Sequence, residues 1–437
     1  MDLTTGRIAV GIGGAMSALP ARLRDRLLPI VLSQVAGLVC GVFSVQLASS
    51  LIAPADYGRY GIYLTFTPLG MWVIHAGVIK YVARYWAGST ARAALLRCAH
   101  RETWRRGAWI VGLGIAGAIA TSPTHAVGLA GLLAATMLAL SVAAIGHTLL
   151  LADRLHWREF RIGGVASATR AVFPALAYWS SGGAFLALPA GFLLHVLIDA
   201  AWVSRVGRRL AGAGRGEAGA PVTLPREFTG WNFMVQAIAG WTALGLTRWL
   251  VIAFRGDEAA GYFTLAGNLA IILPSVLGTV LTQYFQPDLF AAPTATADDR
   301  RRLATRVDGI TALHTLGSVA ALGLLHLLLP WLVGRIIGLK YAAATPYVFP
   351  AGCFFAAVTM TQFHVQLLLA GGRADRIAWL ESVKAVVLGI TGLGAIALGE
   401  RVFLLWLTGS PLLSWTLSRG LARHWFFAAG LTRRPSA

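Results

Sequence analysis

Long runs of apolar residues, broken at intervals by clusters of arginine, make up most of this chain. Read between the charge clusters, apolar windows fall at 27–52, 60–83, 107–122, 126–151, 163–182, 184–206, 229–253, 259–287, 307–333, 345–370, 375–398 and 402–428. These windows centre on the roughly 20 residues that an α-helix needs to cross a bilayer. Backbone groups in lipid must be paired within their own segment, so each window is expected to be helical. The apolar runs do not alternate with polar residues, which excludes a transmembrane barrel. The pattern predicts an all-α polytopic membrane protein of about 12 transmembrane helices in two six-helix lobes.

Composition agrees with that pattern. Of 437 residues, 57% are hydrophobic and only 13% charged, where a soluble domain carries roughly a quarter. Cys40, Cys98 and Cys353 lie too far apart for a disulfide scaffold or a thiolate cluster, and no metal or cofactor is expected. The chain holds 37 basic and 18 acidic residues, a net charge of +19. In a soluble protein that excess suggests nucleic acid; here it punctuates apolar runs, so no nucleic-acid partner is expected.

The charges set the orientation. With the N-terminus in the cytoplasm, 29 of the 37 basic residues fall on the cytoplasmic side. Five fall outside (Arg59, Arg255, Arg335, Lys340, Arg401), and Arg170, Arg248 and Lys384 lie within spans. This bias places both termini in the cytoplasm. Residues 1–26 faintly imitate a secretion signal. Cleavage would put Arg22, Arg24 and Arg26 on the translocated side, so the segment reads as a cytoplasmic arm, an interfacial helix. The glycine- and arginine-rich stretch 207–227 reads as a flexible cytoplasmic linker between an N-lobe (27–206) and a C-lobe (228–428), with a cytoplasmic tail at 429–437. External connections such as Thr121–Ala126 and Ser180–Ala184 are too short for a catalytic domain, and an enzyme is not expected.

The two halves open alike. Ser33-Gln34-Val35-Ala36-Gly37 starts a span that ends at Pro54-Ala55-Asp56-Tyr57-Gly58-Arg59-Tyr60. Val235-Gln236-Ala237-Ile238-Ala239-Gly240 starts one that ends at Gly256-Asp257-Glu258-Ala259-Ala260-Gly261-Tyr262. An acidic residue, a glycine and a tyrosine thus mark the outer end of each half's first hairpin, the glycine serving a tight turn and the tyrosine the interface. Six spans per half is an even number, so the repeats run parallel, related by an axis along the membrane normal.

At these residues the chain resembles the polysaccharide flippases of the multidrug, oligosaccharidyl-lipid and polysaccharide exporter superfamily. The resemblance rests on Leu51 to Tyr63 (LIAPADYGRYGIY), His75 to Arg84 (HAGVIKYVAR) and Thr247 to Phe263 (TRWLVIAFRGDEAAGYF). It departs at His75 and Thr247, where relatives often carry aspartate. It implies a MATE-like fold with a cavity lined by spans one, two, seven and eight. It also implies movement of a polyprenyl-diphosphate-linked, anionic oligosaccharide across a bacterial inner membrane, among membrane lipids and other polysaccharide assembly proteins.

Ionisable groups at membrane depth are functional candidates, because an unpaired charge there is costly. Arg170 on span five and Asp199 on span six lie at matching depths, about 10 Å from the cytoplasmic side at 1.5 Å per residue. They form a structural ion pair, or Arg170 contacts substrate or snorkels to the surface, with Asp199 also a candidate for ion or proton coupling. Glu381 and Lys384, three apart on span eleven, form either a self-neutralising pair or a proton- or ion-sensitive switch. Arg248 has no acidic residue in its span; it either snorkels outward or, with Asn232 and Gln236, faces a polar cavity and an anionic head group. Gln362 and Gln366 share a face of span ten and either line a cavity or bond between helices. His75, His195, His314 and His326 read as core residues.

Other signals carry less. Gly112 to Gly117 fits GxGxxG, but without the preceding strand that a dinucleotide site needs. Gly37 and Gly41 read as close helix packing. Pro68, Pro174, Pro189, Pro274 and Pro350 offer bends. Two rivals remain. A cation-coupled drug exporter would need acidic groups in its cavity, and spans one, two, seven and eight hold none. A membrane glycan polymerase or ligase would need a larger external loop.

Overall fold

A computed structural model describes residues 21–86, 89, 91–213, 231–292, 296–335 and 337–428. Residues 1–20 of the expected interfacial arm, 214–230 of the expected linker and the tail lie outside the described residues. Thirteen α-helices follow in order: α1 Ala21–Leu51, α2 Pro54–Tyr85, α3 Arg92–Arg105, α4 Gly107–Thr121, α5 Ala126–Ala152, α6 His156–Ser180, α7 Ala187–Ala213, α8 Trp231–Ala270, α9 Ile272–Ala291, α10 Ala297–Leu332, α11 Thr345–Ala370, α12 Ile377–Ala397 and α13 Glu400–Ala428. Among the described residues there is no strand beyond a single Val333–Ile337 bridge.

The spans read from the sequence map onto these helices, with differences at several places; α6 and α10 begin seven and ten residues before their expected starts. Helix α7 continues to Ala213, so the linker begins later than residue 207. Residues 92–105, read as a cytoplasmic connection, form helix α3. Spans seven and eight are continuous in α8 except at Gly256, whose φ of 82° and ψ of 179° reverse the chain. Span eight is then broken again at Ile271, between α8 and α9. Pro274, the third residue of α9, has no N–H to bond the Ala270 carbonyl, which accounts for that break. Among the described residues, seven stretches are apolar and long enough to cross a membrane, at 28–51, 123–152, 187–212, 233–282, 297–332, 339–370 and 377–397. The 233–282 stretch holds two crossings. Tyrosine, tryptophan, proline, glycine and arginine lower the hydropathy of α2, α6 and α13, and α4 is short.

Each half packs its six spans in the same pattern. In the N-lobe α1 lies on α6, α2 on α5, α4 on α5, α5 on α7 and α6 on α7. In the C-lobe the first limb of α8 lies on α12, the second limb with α9 on α11, α10 on α11, α11 on α13 and α12 on α13. These are the same pairs of spans, which bears out the parallel repeat. The lobes join chiefly where α2 crosses α8.

That crossing displays the symmetry residue by residue. An offset of 203 residues relates Ala53 to Gly256, Pro54 to Asp257, Gly58 to Gly261 and Gly61 to Thr264. A Cβ on Gly58 would run into the Asp257 carbonyl, one on Gly261 into the Pro54 carbonyl, and one on Gly61 into Thr264. The reciprocal contact places the pseudo-twofold axis between Gly61 and Thr264. The expectation that Gly58 and Gly261 make the turns is therefore corrected. The turns fall at Ala53 and Gly256, and the later glycines let two backbones touch. Close approach through small residues is what holds helices together in lipid, where apolar burial between helices adds little. Gly41 packs similarly against Ile272, but Gly37 faces open space, contrary to its expected packing role.

Candidate functional site: a cation-lined seam between the lobes

At the end of the bundle that carries Arg59 and Lys340 the lobes are tied together. Arg59 bonds Asp257 at 2.8 Å, Ser49 Oγ accepts from the Gly338 amide at 3.1 Å, and Lys340 donates to the Ser50 carbonyl at 3.0 Å. Tyr57, Tyr262 and Tyr341 pack edge to face above the crossing, with centroids 5.8–6.2 Å apart. One apolar cluster runs through both lobes at this level, from Val45 and Tyr63 to Phe263 and Phe354. Toward the end that carries the basic connections the clusters separate. Val78, Val82, Trp86 and Leu95 pack within the N-lobe, and Leu281, Leu303, Phe363 and Phe426 within the C-lobe. The lobes meet at the end that carries Arg59 and Lys340 and part at the end that carries the basic connections.

Arg248 sits at this seam, on the first limb of α8, eight residues before Gly256 and so about 12 Å in from the turn. Its guanidinium donates to Asn268 Oδ1 at 2.8 Å, and Asn268 Nδ2 donates to the Tyr57 hydroxyl at 2.8 Å. No acidic partner lies within 4.0 Å among the described residues, and Nε has no protein partner. Arg170, on the opposite lobe, is exposed and lies within electrostatic reach of Arg248, Tyr57, Tyr60 and His195. It is ten residues from the outer end of α6, about 15 Å in, a depth close to that of Arg248. The carboxylates nearest the seam are engaged at the rim. Asp56 accepts from Tyr178 at 2.8 Å, Asp257 is held by Arg59, and Glu258 accepts from Tyr262 at 2.5 Å. Each lobe thus contributes a cation to the seam, and among the described residues neither has a carboxylate within 4.0 Å. Beside Arg248, Phe66, Trp241, Thr242, Gly245, Leu246 and Trp249 line an apolar pocket of about 220 Å³, and Trp241 Nε1 donates to the Thr65 carbonyl at 2.5 Å.

No protein-family model matches the chain, and no curated protein matches it. Solved structures do. An outward-facing multidrug resistance transporter of the MATE family, in the MOP superfamily, aligns over 94% of this chain and 96% of its own with a TM-score of 0.64 and 14% identity. An inward-facing one aligns over 93% and 100% with a TM-score of 0.65 and 11% identity. A MATE structure in a straight conformation gives 0.62 and 13% over 94% and 97%. The chain has the MATE fold. Inward- and outward-facing MATE structures fit about equally well, so the state seen here is described by its own seam contacts, closed at the end that carries Arg59 and Lys340.

Within the MATE fold, the other expected site residues fall in different places. Arg170 and Asp199 do not pair. Asp199 instead contacts His147 Nε2 at 3.1 Å, while Glu159 holds His147 Nδ1 at 2.9 Å. The reason is direction: α6 turns Arg170 toward the seam, and α7 turns Asp199 toward α5. Both carboxylates are satisfied together only when both ring nitrogens carry hydrogen. This trio staples spans four, five and six. The sequence reading missed it because its members come from three helices, 12 and 52 residues from His147.

Glu381 and Lys384 pair at 2.5 Å and are almost fully buried within the C-lobe, the self-neutralising arrangement. Gln362 is exposed whereas Gln366 is buried with Oε1 unpartnered, so the two do not line one surface together. Gln236 is half-buried on the first limb of α8; the side chain of Asn232 lies outside the described residues. His195 bonds Thr169 at 2.9 Å and His314 donates to the Pro274 carbonyl at 3.1 Å, both as core residues. His326 is exposed, contrary to the core reading. His75 and Thr247, the two departures from aspartate, are fully buried, and His75 has no protein partner for either nitrogen.

Proposed function

We propose that this chain is a transporter that moves a lipid-linked, polyprenyl-diphosphate oligosaccharide across a bacterial cytoplasmic membrane, both termini facing the cytoplasm, for polysaccharide assembly. The observation that carries the reading is the pair Arg170 and Arg248, unopposed by any carboxylate at the seam. A diphosphate complements that charge, and the planar guanidinium grips phosphate oxygens in pairs. The apolar pocket beside Arg248 suits the hydrocarbon that such a carrier brings with it. Gln236 on the same limb suits sugar hydroxyls. Opening toward the cytoplasm, the cleft faces the leaflet in which the carrier would be loaded.

The rival reading is a multidrug exporter, favoured by the similarity in fold to multidrug resistance transporters of the MATE family. A cationic drug would meet two arginines and no counter-charge. The test is complementation of glycan export in a flippase-deficient strain. The wild-type chain is expected to restore export, and Arg248→Gln to restore little at equal membrane abundance. Restored dye resistance without glycan export would favour the rival.

A further inference from the structure

Helix α3 has no part in the seam. Its inward side, with Leu95, Leu96, Cys98, Ala99, Glu102 and Thr103, is buried against the lobe. Its outward side carries Arg97, Arg101, Trp104 and Arg105, all exposed, and Trp109 continues the line at the start of α4. At 100° per residue those four lie within about 100° of the helical wheel. Trp104 is 66% and Trp109 59% exposed. Arg97 and Arg101 have no partner among the described residues. The only acid of the helix, Glu102, is turned inward and bound to Arg105 at 2.7 Å. Arg92, on the other side, is committed to Asp153 at 3.0 Å and lies over the Trp86 ring.

We propose that this face of α3 binds anionic phospholipid head groups of the cytoplasmic leaflet. The helix lies on the basic side of the protein and ends one residue before α4 enters the membrane, so its last turn is at head-group level. Unpaired arginines one turn apart complement phosphate charge. Tryptophans of this exposure belong at a membrane interface, where ring and N–H find separate environments. The packed side fixes α3 to α2 and α7, so lipid held there bears on the N-lobe.

The full chain in nanodiscs tests this through Trp104, using lipids brominated near the head group. Subtracting the fluorescence of Trp104→Phe isolates the quenching of that residue. Brominated phosphatidylglycerol is expected to quench it in preference to brominated phosphatidylcholine. Arg97→Gln with Arg101→Gln should reduce the preference by about 25-fold, at about fivefold per arginine. Replacing both with lysine should keep most of it. Equal quenching by the two lipids, or a preference unchanged in the double glutamine variant with its thermal unfolding intact, would overturn the proposal. Loss of the preference on adding millimolar inorganic phosphate would also overturn it, since that marks a site for free phosphate rather than a lipid surface.

Discussion

Arg248 stays charged whether or not it finds a partner, and in this fold its fixed neighbours are an amide oxygen and, through it, a tyrosine. A glutamine in its place keeps a donor for Asn268 but removes the charge. Arg248→Gln is therefore expected to weaken binding of a polyprenyl-diphosphate sugar by about 10- to 100-fold, the size of a charged hydrogen bond, with thermal unfolding little changed. Microscale thermophoresis on the detergent-purified chain reads both. His147 behaves in the opposite way: His147→Ala leaves Glu159 and Asp199 without their shared partner, costing about 1–3 kcal/mol. That appears as a lower unfolding temperature, without a primary effect on ligand binding. The lack of an acid near Arg248 was legible in the sequence because it is a property of its own span. The partner of Asp199 was not, because matched depth says nothing about which way two side chains point.

At the scale of helices, each apolar window falls on a helix, since lipid dictates length and hydropathy directly, although α6 and α10 begin seven and ten residues before their windows. They did not show α3, whose mean hydropathy is that of a loop and whose amphipathic face emerges only once it packs. Nor did they show the purpose of the paired glycines. The repeat was readable; the touching backbones were not, because the contact links residues 203 apart. Gly261→Leu should drive a side chain into the Pro54 carbonyl and destabilise the crossing by about 1–3 kcal/mol. Gly420→Leu, at a glycine with open space around it, should be tolerated. Thermal unfolding of the two variants side by side checks the contrast.

The whole molecule is closed at one end by Arg59 with Asp257 and by the Gly338–Lys340 segment on α1. If those contacts must open once per cycle, Ser49→Cys with Gly338→Cys should cross-link under oxidation and stop transport, and reductant should restore it. The proposed function holds that charge at the seam decides what the molecule carries. The most direct measurement is translocation in proteoliposomes of a fluorescent polyprenyl-diphosphate sugar, compared with efflux of a cationic dye. The wild-type chain is expected to move the diphosphate lipid and not the dye, and Arg170→Gln with Arg248→Gln to move neither. Dye efflux by the wild-type chain with no movement of the diphosphate lipid would contradict the account.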